Sequence, residues 1–357
     1  MPPLILGAGP AGCAAAIVLA GSGASPLLVD RDAEAGDALC GGFLSWRTAD
    51  RLRELGVEPE ALGARPVERL LLFGGGRPVE IARPRRGFGL SRRMLDGALR
   101  QRAVEAGAGL AVETVRQIEG LKVLGHAQEW RAESLFLATG KHDVRGAARP
   151  RPAKDPALGL RLRLMPSPAL ARRLADTIEL HLFDGGYAGV VLHEDGSANI
   201  CLAVRKSLLT EASGDPADLL TRLAAAHPHF ALRLEPGWRE RPFDSIGSVP
   251  YGWSAEDTEP GLFRLGDQAA VIPSLAGEGI DIALASGTAA AEAWLAGGAD
   301  AAPAFQRRLH QQTKGPLQWA GAAWSLAESP VAASLGLSAA RIAPGLVQRL
   351  IEATRLP

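Results

Sequence analysis

Cysteine is scarce in this chain: three in 357 residues, none in a Cys-x-x-Cys pair. An odd number without paired spacing excludes a disulfide framework and fits a reducing, cytoplasmic setting. An excess of one charge is missing too. Thirty-nine basic residues balance 39 acidic ones, so no nucleic-acid partner is expected. No run reaches the roughly 18 apolar residues that cross a bilayer. The apolar opening "LILGAGPAGCAAAIVLAG" lacks the basic stretch of a secretory leader, so a soluble protein is expected. The seven histidines show neither HxxxH nor HExxH spacing, so no metal is expected. There is no GxSxG elbow for a serine nucleophile.

What the chain does have is glycine, 42 residues of it, and at the start it is spaced. "PLILGAGPAG" reads as a buried strand ending in Gly7-x-Gly9-x-x-Gly12, and Pro10 to about Gly23 reads as a small-residue helix. "SPLLVD" reads as a second strand ending in Asp30, 23 residues after Gly7. Strand, glycine turn, helix, strand and acid together are the context a dinucleotide site requires. Gly7 permits the tight turn, Gly9 admits the pyrophosphate, and Gly12 lets helix and strand pack closely. The helix N-terminus offers N–H groups to the phosphates, and Asp30 accepts from a ribose hydroxyl. Cys13 reads as a small packing residue.

A second glycine cluster lies near the other end. "LFRLGDQAAVIPSLAGEGIDIALASG" reads as a strand ending at Gly266-Asp267, a turn with Pro273, and a helix opening at Gly277-Glu278-Gly279. This resembles the second FAD motif of the p-hydroxybenzoate-hydroxylase-like flavoproteins. "SRRMLDGALRQRA" resembles the same family at Arg92, Leu95, Asp96 and Leu99, and "SLFLATG" resembles the strand that returns to its FAD domain. The resemblance implies FAD held by Gly7, Gly9, Pro10, Ala11, Gly12, Asp30, Arg31, Gly41, Gly42, Arg92, Val115, Ala138, Thr139, Gly140, Gly266, Asp267, Gly277, Gly279 and Ile280. Asp267 would hold the ribityl chain. The helix after Gly279 would face the flavin pyrimidine.

The implied fold class is α/β: a discontinuous Rossmann-like FAD-binding domain (1–62, 87–145, 245–297), a smaller antiparallel β-sheet substrate domain (63–86, 146–244) and a helical C-terminal segment (298–357). "VERLLLFGGGRPVEIARP" reads as a hairpin around Gly74, Gly75 and Gly76, "GLAVETV" as a strand and "IEGLKVLGHAQEWRA" as a hairpin. "RGAARPRPAKDP" reads as a crossover linker. Three strand-like runs follow from Thr177, fit to roof a substrate pocket. Trp319 and Trp324 lie five apart and off one helical stripe. They pack the tail on the FAD domain or form an apolar tunnel wall or membrane-contacting surface.

"CGGFLS", from Cys40, resembles the loop that geranylgeranyl reductases, a branch of this superfamily, carry beside the isoalloxazine. Two glycines let a backbone approach a flat ring. Cys40 is thus the candidate catalytic residue, as proton donor or as pocket lining. Tyr187 and Pro273 are the candidate substrate contacts. The reductases' Tyr-x-Trp-x-Phe-Pro segment is altered: Tyr187 stands, but Gly189 replaces Trp and Val191-Leu192 replace Phe-Pro. The Asp-Gly pair of aromatic hydroxylases is also absent, since Asp143 precedes Val144. NAD(P)H therefore has no dedicated motif, and a separate reductase is the other electron donor considered. Lys141 and His142 follow the returning strand as loop residues within reach of the cofactor. The leading expectation is a monooxygenase for a hydrophobic aromatic or polyketide-like molecule, using O2 in a dry pocket. The alternatives are a geranylgeranyl-reductase-like enzyme and a non-enzymatic FAD-binding or electron-passing protein.

Overall fold

Leu4–Leu6 is the centre of a five-stranded parallel sheet. It pairs with Leu27–Asp30 on one side and Leu135–Leu137 on the other, with Gly109–Val112 and Leu262–Arg264 at the edges. The computed structural model describes residues 2–74, 76–151 and 153–356. Gly75, within the expected hairpin, and Pro152, in the expected linker, lie outside the described residues.

The strands are short and apolar because both faces of the parallel sheet are covered. Ile5, Leu28, Phe136 and Phe263 face the helices Pro10–Gly21, Arg92–Glu105 and Gly279–Gly297. Leu4, Leu6, Leu135 and Leu137 face Ile118 and Val123 of a three-stranded sheet, Val115–Glu119, Lys122–Gly125 and Glu129–Arg131. "GLAVETV" is therefore two strands in two sheets rather than one. The break follows from Glu113, whose carboxylate accepts from the N–H groups of Thr114, His126 and Ala127 and turns the chain. The expected hairpin after it is the three-stranded sheet.

A second sheet has eight strands in the order Phe243–Val249, Ala157–Leu164, Ala198–Arg205, Gly186–Leu192, Thr177–Phe183, Arg65–Phe73, Val79–Gly89, Phe43–Leu44. Neighbours are antiparallel except Arg65–Phe73 beside Thr177–Phe183, which are parallel. Its strands overrun the expected borders at 86 and 244, because Phe88 and Gly89 pair with Phe43–Leu44 and Phe243–Val249 pairs with Ala157–Leu164.

The C-terminal helices Ala302–Ala327, Pro330–Ile342 and Pro344–Ala353 touch both lobes. Phe305 packs on Phe263. Trp324 is buried against Tyr187, while Trp319 is exposed. Leu337 and Ala340 cover Leu70 and Ile81 of the eight-stranded sheet. Among the described residues no single helix is long and apolar enough to cross a membrane.

Candidate functional site

Gly7, Gly9 and Gly12 do separate jobs in the turn after the first strand. Gly7 has φ 100°, and a Cβ there would lie 2.4 Å from the carbonyl oxygen of Ala138. At Gly12 a Cβ would lie 1.9 Å from the Gly7 oxygen. Neither position accepts any other residue. Gly9 is different. The nearest atom to a Cβ there is the Arg92 guanidinium at 3.6 Å, so a Cβ would fit without a clash and a cation lies directly over the backbone. Pro10 is the first residue of the helix, and the Gly9 N-cap has no side-chain hydrogen bond, so no side chain caps the N-terminal N–H groups.

Asp30 ends its strand beside this turn. It accepts from the N–H of Ala8 at 2.7 Å and pairs with Arg100 at 3.0 Å. Arg100 also donates to the carbonyls of Ala8 and Asp32, locking acid and turn together. Arg31 is exposed against Asp32. Val115 begins the next sheet, just after Glu113 donates its N–H to the Asp30 carbonyl. Arg92 holds Asp96 through two nitrogens at 2.8 and 2.7 Å. Burial opposes its charge, but Asp96 outweighs that and raises its pKa further.

The second glycine cluster closes over the first. Gly266 has φ 53° and donates to Ser286 Oγ at 2.9 Å. Gln268 donates to the carbonyls of Gly140 and His142, so the Ala138-Thr139-Gly140 turn sits beside Asp267. The Asp267 carboxylate is 3.7 Å from Lys141 Nζ. Burial, then Arg31 and Lys141, hold His142 below the usual imidazole range. Helices Pro10–Gly21 and Gly279–Gly297 meet at Gly287, where a Cβ would lie 2.2 Å from the Ala11 oxygen. Gly277 has φ 71° and faces Phe43, while Gly279 has nothing within 4 Å. Ile280 is buried behind it.

The Cys40-Gly41-Gly42 loop lies against the inner face of the eight-stranded sheet. Asn199 Nδ2 donates to the carbonyls of Cys40 and Gly41 at 3.2 and 2.9 Å. Arg161 donates to the carbonyls of Asp37 and Ala38, and Arg163 pairs with the Asp37 carboxylate at 2.6 Å. A Cβ at Gly42 (φ 70°) would fall 2.0 Å from His193 Nε2. Burial, then Arg163, push His193 down to about 4, so it is neutral at pH 7. Gly41 has nothing within 4 Å of its missing Cβ and is exposed. The loop is thus fixed from behind and bare in front. Cys40 Sγ accepts from the Gly42 N–H at 3.5 Å.

A buried ionic cluster backs the glycine turn. Glu278 accepts from Ser45 Oγ at 2.9 Å and from Arg355 at 3.1 Å, and Asp281 accepts from Arg51 at 2.9 Å. Burial pushes Glu278 up to about 7; Arg355 opposes this and Asp281 adds to it. Burial likewise raises Asp281, against the pull of Arg51.

Sequence reasoning missed Arg100, Gln268, Asn199, His193, Arg161, Arg163 and Arg355. Each acts across more than 60 residues of chain, so no local motif marks it. The pattern "LGLRLRL" is the one available signal, since it sets arginines on the face opposite the leucines. Tyr187 and Pro273 do lie in one neighbourhood: Tyr187 donates to Ser274, the residue after Pro273, at 2.9 Å.

The glycine cradle, the cation above Gly9 and the bare Gly41 fit a flavin dinucleotide. Residues 1–146 match the family model described as an FAD-binding domain. The chain is 30% identical over 320 residues to a digeranylgeranylglycerophospholipid reductase of Methanopyrus kandleri, covering 81% of this chain and 75% of that one. It is 29% identical over 318 residues to a menaquinone reductase of Mycobacterium tuberculosis, again covering 81% and 75%. A solved structure of a probable FAD-dependent monooxygenase from Pseudomonas aeruginosa superposes with a TM-score of 0.72 at 17% identity, covering 94% of this chain and 99% of that one.

Proposed function

The chain belongs to the p-hydroxybenzoate-hydroxylase-like FAD-dependent oxidoreductases, and from that premise we propose that it reduces an isolated carbon–carbon double bond in an apolar, isoprenoid-like molecule. The observation that carries this reading is the Cys40-Gly41-Gly42 loop, tied by Asn199 to the inner face of the sheet with its front left bare. The two curated relatives named above are both reductases, whereas the likeness to the monooxygenase concerns the fold.

In this reading Gly9, the helix N-terminus and Arg92 would hold the pyrophosphate, Asp30 a ribose hydroxyl, Asp267 the ribityl chain, and Gly41 with the Gly277–Gly279 turn the flavin ring. FAD, when bound and reduced, supplies a hydride to one alkene carbon. Cys40 gives its thiol proton to the neighbouring carbon, so the double bond becomes a single bond, and the thiolate regains a proton from water. The apolar end of the inner face, around Tyr187, Gly189 and Ala203, would keep water from the reacting carbons. Arg149 and Arg151 bind Asp143 at 2.7 and 2.5 Å and occupy the acid after the returning strand, which favours a separate reductase over NAD(P)H as electron donor.

A monooxygenase is the second reading, favoured by Gly189, Val191 and Leu192 where the reductases carry aromatics and proline. A non-enzymatic flavin carrier is the third. The test is anaerobic reduction of the holoprotein, then mixing with a polyprenyl alkene or with 18O2. Saturated product without O2 supports the reductase. Oxygen-18 in the product makes it an oxygenase, and no turnover with any donor makes it a carrier. Cys40→Ala and Cys40→Ser should each lose about 10²-fold in turnover with FAD retained. Normal turnover in Cys40→Ala would reduce the cysteine to lining.

A further inference from the structure

The chain has two tyrosines, Tyr187 and Tyr251, and both phenols donate to one atom. Tyr187 lies 2.9 Å and Tyr251 2.8 Å from Ser274 Oγ. They arrive from separate elements. Tyr187 is on the strand Gly186–Leu192. Tyr251 follows the edge strand, on a strap held against 269–271 by the bonds Gly252 N–Val271 O, Val271 N–Trp253 O and Ala255 N–Ala269 O. Trp324 packs on both rings, with centroids at 5.8 and 5.6 Å.

A serine hydroxyl has two lone pairs and one proton. Two phenol donors occupy the lone pairs, so the proton points away from both tyrosines. Tyr187 is buried, yet Ser274 is exposed, so that proton faces the open side of the cluster. The strand pair that carries Tyr187 runs on toward the Cys40-Gly41 loop. Tyr187, Gly189 and Val191 oppose Ala203, Cys201 and Asn199 across the strand pair. A Cβ at Gly189 would meet nothing nearer than 3.6 Å. Asn199, in this row, holds the Cys40-Gly41 carbonyls. Gly189 and Cys201 keep this row short between Tyr187 and Asn199, with one oriented donor at its rim.

We infer that Ser274 is a specificity-determining residue that donates a hydrogen bond to an oxygen acceptor on an otherwise apolar substrate, the two tyrosines fixing its direction. The inference rests on the proposed placement of the substrate along the inner face, but not on the reaction carried out there. Ser274 is a recognition group and plays no part in the hydride or proton transfer. The acceptor is a carbonyl-type oxygen, carried on a prenyl chain or on a quinone ring.

The experiment measures binding to oxidised holoprotein by perturbation of flavin absorbance. The probes are farnesal, menadione and the oxygen-free β-farnesene. Wild type should bind farnesal or menadione more tightly than β-farnesene, and which of the two it prefers identifies the carrier of the oxygen. Ser274→Ala should weaken the preferred oxygen probe about three- to tenfold, leaving β-farnesene and FAD content unchanged. Ser274→Thr, which keeps a hydroxyl, should restore the difference. The inference is overturned if wild type does not discriminate against β-farnesene, if Ser274→Ala binds the oxygen probe like wild type, or if all probes weaken together. A protein that passes this test but fails to saturate alkenes retains the recognition role and loses the reductase reading.

Discussion

On the outer face of the eight-stranded sheet, Leu160, Leu162, Ile200, Leu202, Val190 and Val204 are each at most 1% exposed. They pack under Leu174, Leu219, Leu220 and Phe230 from the covering helices. On the inner face, the same strands present Gly159, Arg161, Arg163, Asn199, Cys201 and Gly189, paired in register. Alternation with period two produces both faces from one stretch of sequence. The outer face buys stability with close-packed aliphatics. The inner face gives that up for arginines and an asparagine that hold another loop, and for small residues that leave room.

The largest effect that sharpens this contrast is on the outer face. Leu160→Ala should lower the unfolding free energy by about 2–5 kcal/mol, the range for truncating a fully buried leucine. FAD content and turnover per folded molecule should stay unchanged. A denaturant melt with a flavin titration reads both quantities. A loss of turnover without a loss of stability would mean that the two faces are not separate in function.

How far this was legible in the sequence follows the same division. The runs from Thr177 to Arg205 are local, and their strands lie where they were expected; "LGLRLRL" alternates just as plainly and forms a strand that the sequence reading passed over. Gly7, Gly12 and Asp30 were legible because their spacing forms one local motif, although the steric demand on Gly7 itself comes from the distant Ala138. The inner face was not. Asn199 reaches Cys40 and Gly41 across 159 and 158 residues, and Arg355 reaches Glu278 across 77. Such contacts depend on register and on where the chain end docks, neither of which leaves a periodic trace. Ser274 was overlooked for the same reason, although Pro273 and Tyr187 were singled out.

An intermediate effect concerns the buried charges that support the loop side. Glu278 is protonated up to about pH 7 in the folded protein, against about 4.3 for an unfolded glutamate. Between those values the native state holds a proton that the unfolded state has lost, so this group's contribution to stability falls as pH rises through the window. Below the window both states are protonated, and above it both are ionised. Glu278→Gln has no proton to lose and still offers Arg355 an acceptor. Thermal melts of wild type should decline from pH 5 to pH 7.5 relative to the variant, by a difference on the order of 1–3 kcal/mol. Parallel curves for the two proteins would show that Glu278 is ionised throughout and that Arg355 and Ser45 outweigh its burial.

The smallest effect is the one that tests the inner face directly. Asn199→Ala removes two neutral hydrogen bonds, to the carbonyls of Cys40 and Gly41, each worth about 1 kcal/mol. Arg161, Arg163 and the packing of Gly42 on His193 remain, so the loop should stay attached but lose its fixed height over the cleft. A displacement of that kind costs reaction geometry more than stability. Turnover should drop about three- to tenfold with KM and FAD content nearly unchanged, and Cys40 should be alkylated faster by iodoacetamide in the substrate-free protein. If instead Asn199→Ala destabilises as much as Leu160→Ala and leaves turnover per folded molecule intact, then the inner face is packing too, and the contrast between the two faces fails at the residue chosen to define it.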